Sequence, residues 1–142
     1  ARYKKHIPNY STNANRPGEG EQMISPTGFG IRVDTEGDGN YGSSRGTRLH
    51  NGVDYICKKG QDIVAPFNMI LTRLAYPKSD KVMSGIAWQK GKSTGRMFYF
   101  EPDTNLIGNP VHEGDVIGIA QSVSEYYELP GMIDHIHFQV NR

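Results

Sequence analysis

Two of the chain's five histidines, His135 and His137, stand one residue apart in the run Asp134-His135-Ile136-His137-Phe138-Gln139-Val140. These residue types favour a β-strand, and a strand sends successive side chains to opposite faces. Both imidazoles therefore project to one side, with Cβ atoms roughly 7 Å apart. Ile136 and Phe138 point the other way, into a core. Two imidazoles that close serve one small site; the plain alternative is a half-exposed strand carrying two polar side chains. His50 and Asp54 offer further donors, spaced i, i+4 with Gly52 between them. Imidazole and carboxylate both bind zinc well, at roughly 2.0–2.2 Å. A chain that turns at Gly52 and then enters a strand lets both side chains converge. On its own this pair is a common pattern, and a loop histidine followed by a strand-edge aspartate is its ordinary explanation. A catalytic zinc site usually has three protein ligands and one position open to water. His50, Asp54 and one terminal histidine make three. The other terminal histidine then stands beside the open position. There it is able to take a proton from metal-bound water, whose pKa falls to about 7.

The elements that must position these groups are short. The 142 residues amount to one domain, with 17 glycines and 8 prolines that favour turns over long helices. Strand patterns recur in Phe29–Val33, Val53–Cys57, Ile63–Val64, Asn68–Tyr76, Ile86–Gln89, Arg96–Glu101 and Val116–Ala120. Gly37 to Gly42 lies in a glycine-rich loop without periodicity, and its glycines do not open a helix as a phosphate loop requires. Ser122 to Leu129 is expected to form one helical turn or more. The expected fold is mostly β, with few or no long helices. Residues 1–22 are polar and read as an arm able to dock on a protein assembly; residues 23–142 form the domain.

Composition narrows the partners. A net charge of +1 gives no case for nucleic acid, and no apolar run approaches the length of a membrane span. The single cysteine, Cys57, excludes an internal disulfide and reads as a buried, inert thiol. No apolar signal-peptide core is visible. The expectation is a secreted protein whose signal precedes Ala1, or one that reaches its target by another route, as a virion component does. His112, beside a turn, and His6, in the arm, are not expected to be ligands. Arg32 and Asn51 are candidates to line a groove.

His50-Asn51-Gly52-Val53-Asp54 together with His135-Ile136-His137-Phe138 resembles the lysostaphin-type zinc metalloendopeptidases. Three scaffold segments agree in order. Ser25-Pro26 with Phe29-Gly30-Ile31-Arg32 looks like the family's first strand. Asp62-Ile63-Val64-Ala65-Pro66 looks like the strand after the aspartate ligand. Val111-His112-Glu113-Gly114-Asp115-Val116-Ile117-Gly118 looks like its glycine turn and following strand. The resemblance covers about residues 23 to 142. It implies an antiparallel β-sheet groove with one zinc ion on its floor, and hydrolysis of peptide bonds in bacterial peptidoglycan outside the cytoplasm. By motif position it makes His50, Asp54 and His137 the zinc ligands and His135 the catalytic histidine.

One position departs from the family. Active members carry a further histidine on the strand before the glycine turn, and here that place falls on Tyr99, with Phe98 and Phe100 expected to face the other side. A tyrosine hydroxyl donates to an oxyanion but is a poor base at neutral pH. Met97-Phe98-Tyr99 also resembles the leukocyte cell-derived chemotaxins, zinc-binding members of the fold not known as peptidases, although their cysteine framework is absent. Three expectations follow: a zinc endopeptidase, with Tyr99 as oxyanion donor and His135 as base; a zinc-binding module without catalysis; or a structural subunit of a phage tail or similar wall-penetrating assembly.

Overall fold

A computed structural model of the chain describes residues 23–40, 42, 44–45, 48–49 and 52–141. In chain order its strands are β1 (Val33–Asp34), β2 (Gly37–Asp38), β3 (Ser44–Arg45), β4 (Arg48–Leu49), β5 (Val53–Ile56), β6 (Asp62–Val64), β7 (Met69–Ala75), β8 (Gly85–Lys90), β9 (Ser93–Phe98), β10 (Phe100–Pro102), β11 (Pro110–Val111), β12 (Val116–Ala120) and β13 (His135–Val140). One short α-helix, α1 (Val123–Tyr127), and a 3₁₀ turn at Thr104–Leu106 are the helical pieces among the described residues. The fold is mostly β and antiparallel, as the turn-rich sequence requires. The expected arm, residues 1–22, lies outside the described residues.

Six strands form the main sheet in the order β11-β7-β8-β9-β13-β5, and three form a second in the order β10-β12-β6. The main sheet buries one face through Val53, Tyr55, Leu71, Ile86, Trp88, Met97, Ile136 and Phe138. Alternation along β13 puts Ile136 and Phe138 into this core and leaves the two histidines on the opposite face. At the centre, the Trp88 and Phe138 rings stack with centroids 5.5 Å apart, and Phe67 meets both edge-on. Gly95 allows this packing: a Cβ there would come within 2.3 Å of the Trp88 ring and 2.1 Å of the Gln139 carbonyl.

Several expectations shift in detail. The strand expected over Arg96–Glu101 is two strands, β9 and β10, which belong to different sheets. Tyr99 is the corner between them, at φ 80°, a left-handed conformation that costs a bulky residue about 1–3 kcal/mol. Ser84 and Gln121 hold the corner: the Tyr99 N–H donates to the Ser84 carbonyl at 2.8 Å, and the Gln121 N–H donates to the Tyr99 carbonyl at 3.0 Å. Part of the glycine-rich segment is a hairpin, with Val33 opposite Asp38. The strand expected at Phe29–Val33 reduces to a bridge from Ile31 to Tyr55 plus β1, and Phe29 and Val33 are exposed. The expected helical segment is α1. Ser122 caps it, accepting from the Glu125 N–H at 3.2 Å, and Glu128 ends it in a left-handed conformation.

Candidate metal centre

The site is built on register. His137 pairs with Asp54 across the β13–β5 ladder and with Phe98 across the β13–β9 ladder. Paired residues share a sheet face, so Asp54, His137 and Phe98 stand in one row. Phe98 therefore faces the site rather than the far side, with its ring stacked on His137 at 6.0 Å. The local reason is the corner at Tyr99, which breaks the strand alternation expected through Phe100. Asp54, His135 and His137 are all buried, none more than 8% exposed. His137 Nδ1 lies 3.0 Å from Asp54 Oδ1, and His135 Nε2 lies 3.6 Å from Asp54 Oδ2.

The surrounding hydrogen bonds fix the tautomer of His135. His135 Nδ1 lies 2.7 Å from the Ile133 carbonyl, which only accepts, so Nδ1 carries the proton. In neutral His135 the Nε2 lone pair then faces Asp54. A relay acts on His137. Asn141 Nδ2 donates to Thr94 Oγ1 at 3.2 Å, and Gln139 Nε2 donates to Asn141 Oδ1 at 3.3 Å. Gln139 Oε1 lies 2.9 Å from His137 Nε2, and the other ring nitrogen, Nδ1, faces Asp54. Two imidazole nitrogens thus converge on one carboxylate. Imidazole nitrogens and a carboxylate so close together are donor types that suit a divalent cation such as zinc. Backbone and amide acceptors behind the coordinating rings are the usual support of histidine metal ligands.

Arg32 and Asp34 tune the charge. Arg32 donates through Nη1 to Asp54 Oδ2 at 3.1 Å, and through Nε and Nη2 to the two oxygens of Asp34 at 2.8 and 3.2 Å. One guanidinium serves two carboxylates, so among these three groups one negative charge remains in excess. Burial works against the Arg32 charge, but the two aspartates outweigh it and raise its pKa. Burial lowers the pKa of His135, with Asp54 opposing, and the net shift is downward, toward the neutral, lone-pair-bearing form. Arg32 is thus buried beneath Asp54 rather than lining a groove. Its spacing from Asp34, i, i+2, is a signal the sequence carried.

Two glycines allow the close approach. A Cβ on Gly52 would meet the Phe138 carbonyl at 2.5 Å and His137 Cε1 at 2.6 Å; one on Gly39 would meet Asp54 Cβ at 2.7 Å. Gly39 also accepts from the Asp54 N–H at 2.8 Å and donates to the Arg32 carbonyl.

The Tyr99 ring meets the His135 ring edge-on at 5.4 Å, which puts Tyr99 beside the histidines. Burial raises the pKa of its hydroxyl, and the nearby Tyr127 and Asp54 add to the shift. The hydroxyl therefore stays protonated. His50 and Asn51 lie outside the described residues, and among the described residues no group of three or more His, Cys, Asp or Glu is arranged to hold a metal. Of the expected ligands, Asp54 and His137 are brought together. His112 is away from them and mostly exposed. Cys57 is buried, with its thiol pushed up to about 12, mainly by burial.

The chain is 29% identical over 108 residues to leukocyte cell-derived chemotaxin-2 of Bos taurus, covering 75% of this chain and 69% of that protein. Over the same length it is 27% identical to leukocyte cell-derived chemotaxin-2 of Mus musculus, with the same shares covered. No family model matches the chain. The chain is thus a distant homologue of chemotaxin-2.

Proposed function

We propose that the chain is a zinc-dependent endopeptidase acting on peptides of bacterial peptidoglycan. The observation that carries this reading is the convergence of His135 Nε2 and His137 Nδ1 on the Asp54 carboxylate. Asp54 and His137 would hold the metal, and the motif resemblance adds His50. A bound zinc ion supplies Lewis acidity and lowers the pKa of a coordinated water. His135 keeps an unprotonated Nε2 beside the metal ligands, because burial holds the ring neutral and Nδ1 is committed to the Ile133 carbonyl. That nitrogen takes a proton during attack on the peptide carbonyl and returns it to the leaving amine. Tyr99 keeps its proton and serves as a donor to the developing oxyanion rather than as a base.

A second reading, a zinc-binding module without catalysis, draws on Tyr99, which stands where active members of the resembled family carry a histidine. Purified peptidoglycan of several chemotypes, digested with and without chelator, separates the two. The endopeptidase reading expects new amino termini that chelation abolishes and His135→Ala removes. Metal retained at one equivalent with no new termini on any chemotype leaves the module reading in its place.

A further inference from the structure

Asp34 is not among the donors of the candidate site, yet its carboxylate is tied to that site on two sides. Its side chain is 5% exposed. Oδ2 accepts from Arg32 Nε at 2.8 Å and from the Ile133 N–H at 2.7 Å. Oδ1 accepts from Arg32 Nη2 at 3.2 Å and from the Glu36 N–H at 2.7 Å. Arg32 and Ile133 both lead on to the metal centre. Arg32 reaches Asp54 Oδ2 through Nη1, and the Ile133 carbonyl accepts from His135 Nδ1. His135 Nε2 faces the same Asp54 oxygen. The path Asp54–Arg32–Asp34–Ile133–His135 therefore closes on itself, and Asp34 is its midpoint.

Ile133 needs such a hold. Residues 131–134 join α1 to β13 and belong to no strand or helix, so no ladder sets the direction of the Ile133 carbonyl. That direction follows from the backbone torsions between two fixed points. Asp34 fixes the Ile133 N–H. On the other side, the Cys57 N–H donates to the Asp134 carbonyl at 2.9 Å, and the Ser122 hydroxyl and the Ser124 N–H donate to Asp134 Oδ1, both at 2.9 Å. Thr35 Oγ1 adds a longer bond, to the Gly131 carbonyl at 3.3 Å. A neutral imidazole carries its proton on either nitrogen, and an acceptor held at one of them selects the tautomer.

We infer that Asp34 is a positioning residue: it holds Ile133 so that the Ile133 carbonyl keeps the proton of His135 on Nδ1 and the bare Nε2 toward the metal centre. The same carboxylate orients Arg32 on Asp54, so the ligand carboxylate and the histidine beside it share one support. Asp34 itself touches neither metal nor substrate. The inference deepens the endopeptidase reading and rests on it only for the effect on catalysis; the placement of His135 is a property of the folded chain.

The test is nitrogen NMR of the chain labelled at histidine, with zinc in excess, at about pH 8, above the ordinary histidine pKa of about 6.5. A His135→Gln spectrum assigns the signals. Native His135 is expected to show one protonated nitrogen, Nδ1, and one bare nitrogen, Nε2. In Asp34→Ala the two signals should move toward each other as the second tautomer fills. Asp34→Asn keeps a carbonyl oxygen for the Ile133 N–H and should restore part of the separation. On peptidoglycan peptides kcat should fall about tenfold in Asp34→Ala, with KM changing less, as for other groups that support a metal centre from behind. Ile117→Val, in the core, is the control for lost stability. Replacing the Ile133 N–H by an ester oxygen removes the bond to Asp34 and leaves the Arg32 pair intact, so it decides the matter where Asp34→Ala does not fold. His135 signals unmoved in the folded Ala or ester variant, or moved equally by Ile117→Val, overturn the inference. Signals that move as expected, with no native hydrolysis of any chemotype, sink the endopeptidase reading and leave the positioning role standing. Native hydrolysis, with His135 signals and kcat unmoved in Asp34→Ala, does the reverse.

Discussion

His137 stands opposite Asp54 across the β13–β5 ladder, with Nδ1 3.0 Å from Oδ1, although 83 positions separate them in the chain. The same carboxylate accepts from Arg32 and faces the second histidine. The candidate site is thus one carboxylate with two imidazoles in front and a guanidinium behind, and several outcomes depend on that order.

Gly52→Ala tests the approach of β5 to His137. The added Cβ meets a backbone carbonyl and the ring at distances that real side chains do not adopt. The ring must move, and the substitution should cost about 1–3 kcal/mol of stability, the usual range for overpacking. Urea unfolding measures the cost, and metal titration should show weaker binding. A variant with native stability and native metal affinity would contradict the packing described for His137.

Tyr99→Phe separates the hydroxyl from the corner. The backbone corner is held by Ser84 and Gln121 and does not need the hydroxyl. Stability should fall by no more than about 1 kcal/mol, because the ring keeps its contacts with Phe98 and His135. If the hydroxyl stabilises an oxyanion, kcat should fall about 100-fold while metal content is unchanged. Unaltered kcat in an active enzyme would remove Tyr99 from the chemistry.

Acid stability should depend on Asp34. Burial raises its pKa, but hydrogen bonds from Arg32 and from the Ile133 and Glu36 N–H groups outweigh that and hold it below the ordinary carboxylate value. A depressed carboxyl stabilises the fold fully above the unfolded pKa, near 3.9, and loses that contribution as pH falls through the lower folded value. Unfolding midpoints measured from pH 6 downward should therefore drop more steeply below about pH 4 in the native protein than in Asp34→Asn. Parallel curves would show that Asp34 is not held in this way.

Cys57 should report on unfolding. Its thiol is buried, and a pKa pushed up to about 12 leaves almost no thiolate at neutral pH. A maleimide or disulfide reagent should label it only in denaturant, at the concentration where fluorescence reports unfolding. Rapid labelling of the folded chain would place the thiol in a different environment.

The parts of the fold legible in sequence were those governed by short-range geometry. The alternation His135-Ile136-His137-Phe138 required both imidazoles on one face, and β13 has that arrangement. The glycines, prolines and short apolar runs implied an antiparallel β fold, and β5, β7 and β12 fall where the pattern put them. The strand through Tyr99 was not legible in the same way. Met97 to Phe100 has ideal strand composition, and only pairing with two different sheets turns the chain at Tyr99 and brings Phe98 round to His137.

The sequence by itself determined which donor types were present and that the paired histidines share a face, because side-chain alternation is a property of the local backbone. Only the tertiary structure decided which atoms meet. The register of β13 against β5, the Arg32 clamp on Asp54, and the Asn141–Thr94 contact beside Gln139 all join residues distant in the chain. Their alignment follows from how the core packs, which no short window of sequence contains.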